Sequence, residues 1–182
     1  MKKGDLALKK LKKLSVCAML AALTCIATMI SIPVTVNGYI HPGDSVVLLS
    51  AYLLGPIGGG AAAAIGSFLA DIFLGYAYYA PGTFVIKLFD AMAAGFIFKS
   101  ISKNGKTSRL LALCMAGVVG SVIMILGYFL YSWLLLGDGF AAALSSIPAN
   151  ILQAITGVAV SALAYEMMNS HKSLNSFFND LK

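Results

Sequence analysis

Lys87 and Asp90 stand one helical turn apart in an otherwise apolar run, PGTFVIKLFDAMAAGFIF. An ammonium and a carboxylate at that spacing share a helix face and can pair. Ionisable groups are costly inside a membrane-spanning segment, so each is by default a candidate for function. The same expense recurs along the chain. His41 and Asp44 open an apolar run, Asp71 lies near the end of another, and Asn150 and Gln153 share a face near the start of the last. Tyr79, Tyr128 and Tyr131 add phenols near the same boundary, and Asn37 and Tyr39 lie in the short stretch before His41. Amides, phenols, one cation and a few carboxylates are groups that hydrogen-bond, stack on and charge-match a small ligand. They do not form a catalytic set: there is no Ser-His-Asp candidate, no metal-spaced His/Glu cluster and no phosphate-binding loop, and His41 and His171 fall on opposite sides of the expected membrane. No enzyme, metal or cofactor is expected.

Each group also has a structural reading, and both stay open at this stage. Asp44 at a helix start can cap it, where the helix end favours an anion. Lys87 and Asp90 can be a structural pair, and Asp71 can satisfy loop amides. Tyr128, Tyr131 and Trp133 can be anchors at the membrane boundary. Buried amides at Asn150 and Gln153 need partners with or without a ligand. Cys17, Cys25 and Cys114 lie in apolar runs without metal-ligand spacing, and they read as small core residues. Glu166, near the inner end of its run, is expected to reach the interface.

The elements that position these groups are set by composition. Of 182 residues, 59% are hydrophobic and only 11% charged. Mean hydropathy is +0.88. Soluble domains carry about 25% charged residues, so this chain cannot cover itself with polar surface and is read as an integral membrane protein. The net charge of +6 is then an inner-leaflet bias, not a nucleic-acid signal. A span needs about 20 apolar residues. Six are expected, near 14–34, 43–56, 59–76, 81–99, 109–135 and 146–168, in one domain that spans 1–182. The second and third are separated by Gly55-Pro56-Ile57-Gly58-Gly59-Gly60, a turn signal. All basic residues but Lys87 lie outside these runs, in the N-terminal stretch, in 99–109 and in the tail. The bias of cytoplasmic loops toward Lys and Arg therefore puts both termini and the 99–109 loop inside. The basic start followed by an apolar run mimics a signal peptide, but the run is too long and no cleavage site follows, so it is read as a retained first span.

Flanking segments 2–13 and 171–182 read as interfacial. Leu174, Phe177, Phe178 and Leu181 make an i, i+3, i+4, i+7 stripe on a polar helix. Small residues four apart, Ala18 with Ala22 and Ala62 with Gly66, let another backbone approach closely, either within the bundle or on a partner subunit.

The stretch YIHPGDSVVLLSAYLLGPIGGG, followed by GSFLADIFLGYAYYAPGTFVIKLFDAMAAGFIF, resembles the substrate-binding (S) components of energy-coupling factor (ECF) vitamin transporters, in the riboflavin-transporter-like group. Asn150 and Gln153 fit the same pattern, and the likeness covers about residues 14–168. The resemblance implies an all-α bundle in a bacterial plasma membrane that binds a vitamin from outside. It implies a transmembrane T subunit and two cytoplasmic ATPases as partners, with Ala18 and Ala22 matching the first-span docking motif. The substrate-binding candidates are Asn37, Tyr39, His41, Asp44, Tyr79, Lys87, Tyr128, Tyr131, Asn150 and Gln153. A single-ring heterocycle, the hydroxymethylpyrimidine precursor of thiamin or a vitamin B6 form, is preferred over riboflavin. A self-sufficient small transporter is the rival class; it requires an internal repeat or a polar path across the full thickness, and neither is seen.

The orientation is testable. Single cysteines at Lys103 and Asn37, in a chain lacking the native three, are expected to label from opposite sides of intact cells. Labelling of both from outside overturns the six-span topology.

Overall fold

The computed structural model describes residues 3–35, 38–103, 105 and 107–181. Helix α1 runs without a break from Lys3 to Met29. Lys, Leu and Ala are strong helix formers, and no breaker separates the basic stretch from the apolar one. The separate interfacial segment expected at 2–13 is therefore the first part of α1. Pro33 and the β-branched residues around it then stop the helix. Strands β1 (Ile32–Thr35) and β2 (Gly38–Ile40) pair antiparallel, Ile32 opposite Ile40, with an irregularity between Pro33 and Thr35. This hairpin is an addition to the all-α expectation, and it ends the first span at Met29 rather than near 34.

Helix α2, Gly43–Phe73, contains the main event of the fold. Gly55 has φ 74° and ψ −178°, outside any helical region, and Pro56 follows it. Only glycine adopts that conformation without strain. A Cβ added at Gly59 would lie 2.4 Å from the Cα of Ala51 and 2.6 Å from the carbonyl oxygen of Ser50. On a straight helix residues 51 and 59 are about 12 Å apart. The chain has doubled back, so 43–54 and 56–73 are two antiparallel arms. The turn expected at GPIGGG falls at Gly55, and the second arm ends at Phe73 rather than near 76.

Helix α3 spans Ala80–Lys103. Helix α4, Arg109–Leu130, starts on Ser108, whose hydroxyl accepts from the Leu111 amide at 3.3 Å. It passes into a π-helical turn, Tyr131–Leu136, that stops at Gly137 in the left-handed region. A short α5 (Phe140–Ser145) leads into α6 (Ile147–Ser170), with Pro148 in its first turn. Helix α7 is Lys172–Leu181. By length and composition, Ala7–Met29, Gly43–Phe73, Arg109–Leu136 and Phe140–Ser170 are apolar enough to cross a membrane. With α2 doubled back and α3 beside it, the bundle has six main helical segments.

The arms of α2 form the centre, touching α1, α3 and α6, while α4 closes against α3 and α6. Contact is close because small residues meet backbone. A Cβ at Gly66 would lie 2.3 Å from the Ala21 carbonyl oxygen, and one at Gly95 would lie 2.9 Å from Pro56. Ala62 and Gly66 thus serve packing inside the bundle. Ala18 and Ala22 are exposed. Near the α2 turn, Tyr52, Phe98 and Tyr165 cluster with ring centroids 5.2–6.0 Å apart, and the Tyr52 hydroxyl donates to the Leu113 carbonyl at 3.0 Å. Lys13, Lys99 and Lys103 border one cavity there, and α7 rests on α1 and α2. The basic segments therefore gather at one end. Glu166, expected at an interface, pairs with Arg109 at 3.2 Å.

Gly59→Ala forces a methyl group into the Ala51 backbone, which cannot rotate away. Overpacking of this kind costs about 1–3 kcal/mol or more. The variant is expected to melt well below the parent in detergent, while Ile57→Ala, at a residue 79% exposed, is expected to change little. Equal melting of Gly59→Ala and the parent overturns the doubled-back geometry.

Candidate functional site

The opposite end of the bundle holds the polar groups, built around Lys87. This side chain comes from the first half of α3 and is 1% exposed. Its ammonium pairs with Asp44 on the first arm of α2 and lies 3.7 Å from Asp90, one turn along its own helix. The Lys87–Asp90 pairing read from spacing is present, but the shorter partner lies on another element. Asp44 is no cap: Pro42 precedes the helix without a side-chain cap, and the Asp44 carboxylate instead takes Lys87 and the Gln153 amide, Nε2 to Oδ2 2.7 Å. The capping reading of Asp44 is corrected by that geometry.

Gln153 on α6 faces both ways. Its Oε1 accepts from the His41 backbone amide at 3.3 Å, tying the chain that enters α2 to α6. Gly157, one turn further on, lets α6 approach: a Cβ there would lie 3.1 Å from that of Asp44. The His41 ring accepts at Nδ1 from the Gly43 amide at 3.2 Å. Burial pushes the imidazole down to about 4, against an opposing pull from Asp44. The ring is therefore neutral at pH 7, with its proton on Nε2.

The network continues through aromatic and hydroxyl groups. The Lys87 ammonium sits 5.5 Å from the Tyr128 ring centroid, a cation–π contact. The Tyr128 hydroxyl donates to Thr83 at 3.3 Å, and Thr83 in turn meets Asp71. The reading of Asp71 as an acceptor for loop amides is only half right. The Tyr76 amide goes to its backbone carbonyl at 2.8 Å, and the carboxylate Oδ2 is buried without a hydrogen-bond partner. Thr28 Oγ1, Ser67 Oγ and Asp90 Oδ1 are also buried and unpartnered among the described residues. Thr28 lies at the Gly43 backbone, beside His41. Thr28, Ser67 and Thr83 were missed in the sequence; Ser67 stands four residues before Asp71, a spacing that puts its hydroxyl on the acidic face.

The remaining candidates divide. Asn150 is half-buried one turn before Gln153, and its side chain makes no hydrogen bond among the described residues. The Tyr131 hydroxyl donates to the Tyr78 carbonyl at 2.9 Å, with its ring over Gly82. Tyr79 donates to Asp138 at 3.4 Å, which also accepts from Ser132 at 2.7 Å. Tyr79 and Tyr131 thus bind the 75–79 loop to the π-helical turn, apart from the ion pair. Asn37 lies outside the described residues, and Tyr39 is described by its backbone alone. Trp133, read as a boundary anchor, is exposed and stacked with Phe129 and Phe140. Among the described residues no group of three or more His, Cys, Asp or Glu is placed to hold a metal ion.

A multi-pass membrane protein with a buried, hydrogen-bonded polar cluster toward one end is the class that fold and site define. Residues 8–170 match the family described as ECF-type riboflavin transporter, S component, and the chain belongs to that family. A Pyrococcus woesei protein, described only as an uncharacterized protein in the gap 3′ region, is 33% identical over 140 residues, which is 76% of this chain and 88% of that protein. A solved structure, the S component of a bacterial ECF transporter, shares the fold with a TM-score of 0.68 at 22% identity, covering 88% of this chain and 97% of its own. Family and fold are those of transporter components, not of enzymes.

Removing one partner of a buried ion pair costs about 3–5 kcal/mol, because the other charge is left unpaired. Lys87→Met is expected to lose stability on that scale. Adding Asp44→Asn is expected to restore more of it than adding Asp90→Leu, measured as melting temperatures in one detergent. The reverse order makes Asp90 the principal partner.

Proposed function

We propose that this chain captures a small vitamin or vitamin precursor at the Lys87 end of the bundle, from outside the cell membrane, for uptake through a T subunit driven by two ATPases. The observation that carries the reading is the set of buried, unpartnered polar atoms at that end: Thr28 Oγ1, Ser67 Oγ, Asp71 Oδ2 and Asp90 Oδ1. Buried polar groups are nearly always satisfied, so orphans converging on one region ask for a ligand. The family supplies the capture role. A self-sufficient transporter fits less well, because the buried rings of Tyr52, Phe98 and Tyr165 pack against one another toward the α2 turn, where a through path would need polar groups.

The balance of groups favours a single-ring hydroxymethyl heterocycle, a vitamin B6 form or the hydroxymethylpyrimidine. Asp44, Asp71 and Asp90 outnumber Lys87, so carboxylate acceptors exceed cationic donors, while the Thr28 and Ser67 hydroxyls can donate or accept. An amino or hydroxymethyl group supplies donors to Asp71 Oδ2. Riboflavin is the second reading, favoured by the description of the matching family. Docking falls to α1: Ala18 and Ala22 are exposed on the bundle surface, where small side chains let a partner helix approach. The basic end faces the cytoplasm.

Native mass spectrometry of the purified chain, with pyridoxine, the hydroxymethylpyrimidine and riboflavin offered in competition, tests the ligand. Retention of a single-ring compound is the expected result; retention of riboflavin alone overturns the choice, and retention of no heterocycle overturns the capture role. Leaving a buried partner unpaired costs about 1–3 kcal/mol, so Asn150→Ala is expected to weaken binding roughly ten- to a hundredfold without lowering the melting temperature of the ligand-free protein. A drop in stability with unchanged affinity makes Asn150 structural. Ala22→Leu is expected to block uptake and spare binding; equal loss of both returns Ala22 to internal packing.

A further inference from the structure

We propose that the cavity at the α2 turn binds the phosphate headgroup of an anionic lipid. The cavity has a volume of about 380 Å³ and is walled by both arms of α2 and by α3, with Lys13 reaching in from α1. Lys13, Lys99 and Lys103 converge on it, and no lining residue is acidic. Among the described residues none of these three lysines belongs to an ion pair. Arg109 is different, being held by Glu166. Three ammonium groups around one opening repel one another, and an anion between them removes that repulsion. The Lys13 stem lies over Gly58: a Cβ there would be in ordinary contact, 3.5 Å, with Lys13 Cε.

The wall below the lysines is apolar. Leu54, Ile57 and Phe98 line it, and Ile57 is 79% exposed. A charged rim over an apolar flank fits a headgroup continued by an acyl chain better than it fits a free anion. Basic pockets between membrane helices hold anionic headgroups in this way. Placing the site in the inner leaflet rests on the orientation proposed above; the binding itself does not.

The test uses the full chain in nanodiscs of equal phosphatidylglycerol and phosphatidylcholine, released into mild detergent for native mass spectrometry of retained lipid. Preferential retention of phosphatidylglycerol is expected. The triple variant Lys13→Gln, Lys99→Gln, Lys103→Gln is expected to lose that preference by about fivefold per lysine. A matched triple, Lys9→Gln, Lys10→Gln, Lys12→Gln, removes the same charge outside the cavity and is expected to keep it. Melting temperatures show that both variants fold, and heterocycle binding at the opposite end is read separately, so failure of the functional reading leaves the lipid result standing. Unchanged preference in the first triple, or equal loss in the second, overturns the site. Inorganic phosphate, offered without lipid, is expected not to raise the melting temperature of the parent chain. If it does so as strongly as phosphatidylglycerol, and does so only while the three cavity lysines are present, the ligand is a soluble anion and the lipid assignment falls.

Discussion

One buried ammonium group constrains the structure most. Lys87 is tolerable only because Asp44 and Asp90 lie beside it and the Tyr128 ring faces it. Those partners come from three helices, so satisfying one charge sets how α2, α3 and α4 sit against each other. Gln153 extends the constraint to α6, and its contact with the His41 amide carries it to the loop entering α2. A buried pair of this kind gains little net stability, since desolvation offsets much of the attraction. Its value lies in register: few other alignments of these helices leave the charge paired.

The two ends of the bundle are held by different physics. At the Lys87 end, cohesion is electrostatic and directional, with orphan acceptors left over. At the α2 turn it is packing: glycines against backbone, and three aromatic rings in edge or tilted contact. Close-packed interiors resist deformation. A polar end with unmet hydrogen-bonding capacity is adaptable to a guest, whereas the packed end is a rigid base. That division suits a protein whose ligand enters at one end.

Much of this was legible in the chain. The apolar runs mark most of the long helices, GPIGGG marks the reversal, and the ionisable residues inside apolar runs mark the polar end. Spacing along one helix found Lys87–Asp90 but not Lys87–Asp44, because periodicity reports neighbours on the same element and says nothing of which arm lies opposite. The same limit turned Asp44 into a cap. The hydroxyls of Thr28, Ser67 and Thr83 carry no signal of their own, since Ser and Thr are cheap in any helix; only their shared burial singles them out. The unbroken α1 was missed for another reason. A basic stretch that could lie on a membrane and one that continues a span have the same helical periodicity, and only the absence of a breaker decides between them.

The reversal at Gly55 has a consequence for biogenesis. On an isolated helix, Lys and Asp each cost about 2.5–3.5 kcal/mol to insert at the bilayer centre, and less toward its surface. Helix α3, carrying both, would enter lipid poorly by itself. Helix α2 precedes it and doubles back with almost no loop, so its two arms emerge from the ribosome as a ready-made wedge with Asp44 already displayed. When α3 follows, its cation meets a counter-ion instead of hydrocarbon. The order of segments along the chain is thereby also the order in which their charges become affordable to the membrane.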